Sequence, residues 1–338
     1  HLLLTGVEGV TLGADFHADV LLGRSGFDHI TASTTNRGLL VVGMDAFLHL
    51  YSPLSPWRIV SHNATDIIPQ GKWKCNCFLK KIIFLDLDGT LWTFEKIPSS
   101  ALKAIELARK NGHKIYINTG RTRCEIPQFL LDMNLDGYCF GAGSEIIIDN
   151  KQVLFEPLKK RDTQFIQHIA KDSGFSLEGS KMTFTNEKNR ERMLQFNTDN
   201  RMGNRFLSFP DISTMTDDDY NQVMKVSIHF DSLSQREEIL RQIPKHLTFT
   251  NFLHLGGEIT HSEYNKATAI QFVKDYYSEE YETVAMGDSE NDLPMLEYAD
   301  ISVAMGNGVK EVKEKADYVT DKIDNDGLYK AFKYLKLF

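Results

Sequence analysis

From residue 81 onward, short apolar runs alternate with stretches of helical periodicity, the order expected of an α/β protein built on a parallel sheet. In Lys81–Leu85, every residue after the lysine is apolar, at alternate and intervening positions alike, which suits a strand covered on both faces. A helix follows, read from Ala101, Ala104, Ile105 and Ala108 on one face, with Pro98 ahead of it and Asn111–Gly112 as its stop. Lys114–Ile117 is the next strand, and a third unit runs through Asp136–Phe140 into Gly141–Ile148. Beyond Pro157 the pattern changes. A helix marked by Phe165, Ile166 and Ile169 gives way to strand-like runs at Lys181–Thr185, Val223–Phe230 and Leu247–Phe252, with another helix over Gln235–Gln242. Alternation in Val223–Phe230 suits a sheet with one covered face. Gly203–Asp219 carries no assignable pattern. The α/β order is expected to resume at Gly257–Thr260, ahead of the helical run Ala267–Val273. The chain therefore divides into an unassigned 1–78, an α/β core in two pieces, 79–157 and 254–338, and an inserted α+β unit over 158–253.

Residues 1–78 lack this order. Their apolar runs, Asp19–Gly23 and Gly38–Gly43, are broken by Gly, Asn, Ser and Thr, a pattern open both to strands and to poorly ordered chain. His1, His17, His29, His49 and His62 fall here at spacings that fit no metal-ligand set. With His rather than Met at the start, this part reads as an upstream extension, an accessory domain being the alternative.

Composition narrows the classes. At 338 residues and 38.5 kDa the chain exceeds the usual single domain. A formal charge of −8 and a pI near 5.8 argue against a nucleic-acid partner and leave a small diffusible substrate. Cys75, Cys77, Cys124 and Cys139 are too scattered for a disulfide framework, and Cys75 and Cys77 lack a second metal-ligand pair, so free thiols in a reducing compartment are expected. No apolar run approaches the roughly 18–20 residues of a membrane span, and His1–Leu4 lacks the basic region of a signal peptide. The expected location is the cytoplasm, with no membrane partner; the oligomeric state is left open.

Two stretches carry chemistry. Asp86 and Asp88 stand two apart at the end of the first buried strand, so on extended backbone they lean to one side, and Gly89–Thr90 then turns the chain away. Strands of open α/β sheets deliver functional groups at such carboxyl ends. A polar surface turn would not sit so well at the end of an apolar strand. Thr283–Met295 repeats the architecture of strand, glycine and carboxylates: Asp288 and Asp292 are four apart, on one face of a helical turn, with Asn291 beside them. Between these lie weaker signals. Thr119 and Gly120 end the second strand where a helix should begin, either a plain N-cap or a phosphate seat of hydroxyl and backbone N–H groups. Lys266 stands near a helix start, where the dipole disfavours a cation.

In their order and spacing these stretches resemble the haloacid dehalogenase superfamily. Asp86–Leu91 (Asp-Leu-Asp-Gly-Thr-Leu) is similar to its first motif, Thr119 falls at its second, Lys266 at its third, and Gly287–Asp292 (Gly-Asp-Ser-Glu-Asn-Asp) matches its fourth. The later stretches Ile301–Asn307, Ala316–Thr320 and Asn325–Gly327 resemble its Cof-type phosphatase branch, and the likeness spans about 79–338. It implies a Rossmann-like core with a central parallel sheet and an inserted α+β cap that chooses the substrate. Relatives carry Asn-Gly-Ala near residue 142; here Ala142 precedes Gly143, so that amide's contact is not carried over.

Four carboxylates converging on one crevice would raise one another's pKa unless a cation joined them. An all-oxygen set suits Mg²⁺, which keeps waters and substrate phosphate as further ligands. Phosphoryl transfer is the reaction such a site favours. The resemblance implies the roles: Asp86 attacks phosphorus to form an aspartyl-phosphate, and Asp88 protonates the leaving oxygen and then activates water. It assigns Thr119, Gly120, Lys266 and Asn291 to the phosphate, and Asp86, Asp88, Asp288 and Asp292 to Mg²⁺. A phosphatase of small phosphorylated metabolites, sugar phosphates or phosphorylated cofactors, is thus expected. A phosphomutase would use the same pair of acids; a silent regulatory protein would be expected to have lost a carboxylate or Lys266, and none is missing. No Gly-x-Ser-x-Gly elbow supports a serine hydrolase.

Overall fold

The computed structural model describes residues 18–22, 42–43, 46–50, 80–198 and 209–338. The chain forms two units, His1–Cys75 and Asn76–Phe338. In the first, β1 (Ala18–Leu22), β2 (Val42–Gly43) and β3 (Ala46–Leu50) make an antiparallel sheet in the order β1-β3-β2. Asp19–Gly23 overlaps β1, and Gly38–Gly43 ends in β2. His1, His17, His29, His62, Cys75 and Cys77, and the part of Gly203–Asp219 up to residue 208, lie outside the described residues.

The second unit opens with β4 (Lys81–Leu85), β5 (Lys114–Asn118) and β6 (Gly137–Phe140), followed by the hairpin strands β7 (Glu145–Ile148) and β8 (Lys151–Phe155). Next come the strands of the insertion: β9 (Gly174–Gly179), β10 (Thr183–Thr185), β11 (Val223–His229), β12 (Leu247–Leu253) and β13 (Gly256–His261). The chain closes with β14 (Glu282–Gly287), β15 (Ile301–Ala304) and β16 (Tyr318–Val319). The core sheet runs β16-β15-β14-β4-β5-β6-β7-β8, parallel from β16 to β6 and antiparallel through the final hairpin. After β4 the chain builds outward through β5 and β6, and much later returns to the other side of β4 as β14. The carboxyl end of β4 is therefore a topological switch point, where a crevice must open.

Helices cover both faces, as the apolar β4 requires. Ile83 and Leu85 pack with Ala101, Ala104, Ile105 and Ala108 of the helix Ser99–Lys110 and with Leu328, Ala331 and Phe332 of Gly327–Tyr334. Ile82 and Phe84 pack with Ala269, Ile270 and Val273 of Lys266–Tyr276 and with Met295 and Leu296 of Leu293–Tyr298. Each of the larger of these side chains, Ile, Leu, Val, Met or Phe, contributes about 1.5–3 kcal/mol when fully buried.

The inserted unit is an antiparallel sheet in the order β10-β9-β11-β13-β12. Val223, Val226, Ile228 and Phe230 form its apolar side together with Ile166 of the helix Lys160–Ile169 and Ile239 of Leu233–Leu240. Lys225, Ser227 and His229 alternate with them and face a cavity instead. The opposite face of β11 is therefore also largely buried, beyond what its alternation indicated. The expected return to the core at Gly257–Thr260 is corrected: these residues belong to β13, paired with β11 and β12. Glycine there reads as loop punctuation, but it serves a close approach. A Cβ at Gly257 would lie 2.3 Å from Cζ of Phe249 and 2.4 Å from the Thr250 carbonyl oxygen. The chain rejoins the core only at the helix Lys266–Tyr276.

Candidate active site at the switch point

Asp86 is the first residue beyond β4, and its N–H donates to the Met286 carbonyl of β14 at 2.9 Å. Its flanking strands end in register with it, β5 placing Thr119 on one side and β14 placing Asp288 on the other. Gly89 turns the chain at φ +85°, and a Cβ there would stand 2.5 Å from Oδ2 of Asp288, so glycine meets both demands. Thr90 Oγ1 donates to Asp288 Oδ1 at 3.0 Å, tying the first loop to the fourth motif.

Lys266 is 1% exposed. Its Nζ lies 2.5 Å from Asp86 Oδ1, 2.5 Å from Asp292 Oδ1 and 3.4 Å from Asn291 Oδ1. These carboxylates offset the unfavourable dipole at the helix start. Burial opposes the ammonium charge, yet Asp292 and Asp86 outweigh it and hold the Lys266 pKa above its ordinary value. Asn265 caps the helix, its Oδ1 accepting from Ala267 N at 2.8 Å and Thr268 N at 3.1 Å. Asn118 Nδ2 donates to the Lys266 carbonyl at 2.9 Å, locking β5 to that helix. Asp292 Oδ2 accepts from the backbone N–H groups of Asp288 and Ser289, both at 2.9 Å.

One oxygen from each of Asp86, Asp288 and Asp292 lies within 4.8 Å of the others. Burial and then Asp292 push the Asp86 carboxyl well above the usual range, and the same two causes push Asp288 up to about 6. The donors are all carboxylate oxygens and their negative charge is under-compensated, so the set fits a hard divalent cation such as Mg²⁺. Asp88 stands outside this set. Its two oxygens accept from Arg121 Nε at 2.7 Å and Nη2 at 2.9 Å, a two-point fork that aims the carboxylate across the cavity mouth. Asp88, expected as a fourth metal ligand, is thus not among the three carboxylates whose oxygens meet.

Thr119 and Gly120 follow β5 without heading a long helix. A capping box at Thr122 and Glu125 closes one 3₁₀ turn, and the next helix is the short Gln128–Leu131. Thr119 Oγ1 accepts from Arg121 N at 3.1 Å. Ala142 takes up φ +53° and donates its N–H to the Thr119 carbonyl at 2.9 Å, a left-handed backbone position that favours Asn over Ala.

A cavity of about 990 Å³ lies between core and insertion, with Asp88, Gly120 and Asn291 on the core side and Lys225, Ser227 and Glu258 on the other. Lys225 bridges the two. Its Nζ donates to the Gly120 carbonyl at 3.1 Å and meets Glu178 at 3.1 Å and Glu258 at 3.1 Å from the insertion, and Glu125 at 3.3 Å from the core. Against the effect of burial, Lys225 and Arg121 hold Glu125 low; burial and then Glu125 push Glu178 up to about 7. Reading the sequence assigned no role to Arg121, Glu125 or Lys225. Lys225 alone carried a signal, as a cation among the alternating apolar residues of Val223–Phe230, but its three acids are scattered along the chain.

A family model described as haloacid dehalogenase-like hydrolase matches residues 83–332. The chain belongs to this family. Within it, the chain is an enzyme of the Cof-type phosphatase branch. It is similar to a putative phosphatase of Bacillus subtilis, YkrA, with 28% identity covering 76% of this chain and 98% of that protein. It is 30% identical to the 5-amino-6-(5-phospho-D-ribitylamino)uracil phosphatase YcsE of the same organism, over 75% of this chain and 95% of that one. Among solved structures, the subclass IIB sugar phosphatase BT4131 superposes with a TM-score of 0.66 at 26% identity, covering 77% of this chain and all of its own. A second haloacid dehalogenase phosphatase, BT1666 from Bacteroides thetaiotaomicron, gives a TM-score of 0.66 at 26% identity over 81% of this chain and 100% of that one. Among the described residues no helix is long and apolar enough to cross a membrane.

Proposed function

We propose that this enzyme hydrolyses small phosphorylated metabolites, sugar phosphates or phosphorylated cofactor precursors, through an aspartyl-phosphate on Asp86 and with Mg²⁺ as its resident ion. The observation that carries the reading is the meeting of Asp86, Asp288 and Asp292 at one point, with Lys266 between Asp86 and Asp292, close in sequence to Asp88 and Asn291, which line a large cavity. Asp86, Asp288 and Asp292 would hold the ion, which would lower the charge on the carboxylates and on the phosphoryl oxygens.

The remaining chemistry belongs to the chain. Asp86 attacks phosphorus, forming a carboxylate–phosphorus bond as the ester oxygen departs. Asp88, held by the Arg121 fork, gives that oxygen its proton; it then takes a proton from the water that attacks phosphorus, which frees Asp86 and releases phosphate. Thr119, the Gly120 N–H, Lys266 and Asn291 hold the phosphoryl oxygens. The buried free thiols of Cys124 and Cys139 support a reducing, cytoplasmic setting.

Free phosphate separates hydrolysis from a mutase, which would return the group to substrate. The test is phosphate release from a panel of phosphorylated metabolites: chelator should silence it, Mg²⁺ should restore it, and Ca²⁺ should restore it poorly because its looser coordination misplaces the phosphate. Full turnover in chelator would remove the metal from this reading.

A further inference from the structure

The cavity has a second charged end. Arg192, on the helix Glu187–Thr198, and Arg236, on Leu233–Leu240, line the same space as Asp88, Gly120 and Asn291. Other arginines nearby are committed to carboxylates, Arg121 to Asp88 and Arg190 to Asp211 and Glu187. Among the described residues neither Arg192 nor Arg236 has such a partner. Arg192 Nη1 meets Nδ1 of His229 at 2.5 Å, and Arg236 Nη2 donates to Asn251 Oδ1 at 2.7 Å. Nε of Arg236 is buried with no hydrogen-bond partner. Burial and then Arg192 hold the His229 pKa down to about 4, so the imidazole is a neutral acceptor and the positive charge stays on the guanidiniums.

In a chain of formal charge −8, two uncompensated guanidiniums on one cavity wall are an arrangement that attracts an anion, which their planar forks grip at two points. β11 gives the scale. Lys225, which touches Gly120, and His229, which touches Arg192, stand four residues apart on this strand, about 13 Å at 3.2–3.4 Å per residue. Allowing for the reach of the side chains, the reacting phosphate and an anion on the arginines would be on the order of 10 Å apart.

We propose that Arg192 and Arg236 seat a second anionic group of the substrate, so that the preferred substrates are elongated phosphate esters carrying a carboxylate or a second phosphate at the far end. The inference rests on the phosphatase reading above and adds the substrate class to it.

Matched esters test it: 8-phosphooxyoctanoate, octane-1,8-diol bisphosphate and 8-hydroxyoctyl phosphate, beside the short pair 3-phosphooxypropanoate and 3-hydroxypropyl phosphate. The long anionic esters should exceed the hydroxyl ester in kcat/KM by about tenfold to a hundredfold, the scale of a charge-assisted contact, and the short pair should differ less. The ratio of the two long anionic esters tells which terminus the seat prefers. In the double variant Arg192→Gln, Arg236→Gln the anionic preference should fall toward one. Equal use of long anionic and hydroxyl esters by the wild type, or an unchanged ratio in the variant, would overturn the inference. Calorimetric binding of the corresponding long phosphonates provides a readout independent of turnover. If no ester is hydrolysed, the phosphatase reading fails by itself, and the anion seat stands or falls on whether carboxyl-tipped phosphonate binds wild type more tightly than the variant does.

Discussion

Both oxygens of Asp88 are held by Arg121, itself 8% exposed and lying 5.3 Å over the Trp92 ring, so the direction of this carboxylate is set by a side chain outside the motif that carries it. Arg121→Lys keeps the charge and loses the fork. If Asp88 is the proton donor, the loss should depend on the leaving group: about tenfold to a hundredfold in kcat on alkyl phosphates, which need the proton, and far less on aryl phosphates, which do not. Equal losses on both would mean that Arg121 serves binding alone. Lys225 poses a different question, because it faces three carboxylates at 8% side-chain exposure. Lys225→Met strands these acids and should cost about 3–5 kcal/mol in denaturant unfolding. Glu178 works in the opposite sense. Burial and the neighbouring Glu125 raise its pKa to about 7, above its ordinary value of 4.5, so its folded form favours the proton. Its contribution is complete below about 4.5 and is lost as pH rises through about 7. Glu178→Gln removes that loss, and the variant should gain on the wild type by on the order of 1–3 kcal/mol as pH climbs from 5 to 8. Parallel stability curves over that range would contradict the assignment.

At the scale of elements, the site depends on three adjacent parallel strands, β5, β4 and β14, whose carboxyl ends deliver Thr119, Asp86 and Asp288. This part was legible because a strand buried on both faces leaves an unbroken apolar run, and a run that stops on two carboxylates is conspicuous. The helix Ser99–Lys110 was legible for the same reason, its buried Ala101, Ala104, Ile105 and Ala108 being the residues that periodicity picked out. The insertion was harder to read. β9, Gly174–Gly179, mixes Ser and Glu with Phe and Leu because its polar side faces the cavity, and β13 carries paired glycines that imitate a turn. Helix Glu187–Thr198 was missed altogether: its sequence is rich in charge, and among the described residues Met193 clusters with Phe209, and Leu194 packs against them. Elements that serve a polar crevice violate the pattern by which buried elements are recognised. Gly257→Ala tests the β13 correction. A methyl group there meets the Phe249 ring and the Thr250 carbonyl, so the variant should lose about 1–3 kcal/mol of stability. A residue in an open loop would tolerate it.

For the molecule as a whole, the division of the chain into His1–Cys75 and Asn76–Phe338 places the family match and every proposed catalytic group in the second unit. A truncated protein starting at Asn76 should therefore keep full kcat/KM on its best substrate; inactive or insoluble product would mean that the first unit supports the enzyme. Within the second unit, chemistry and selection are separated. The carboxylates that meet Lys266, and Lys266 itself, belong to the core, while Lys225, Arg192 and Arg236 on the cavity belong to the insertion. The central claim is that the phosphoryl group passes through Asp86, and its most direct test is phosphate release by Asp86→Asn, which removes the attacking charge at nearly constant volume. The expected result is a folded protein whose turnover falls to background on every phosphate ester that the wild type hydrolyses in Mg²⁺. Substantial residual turnover in that variant would contradict the covalent mechanism.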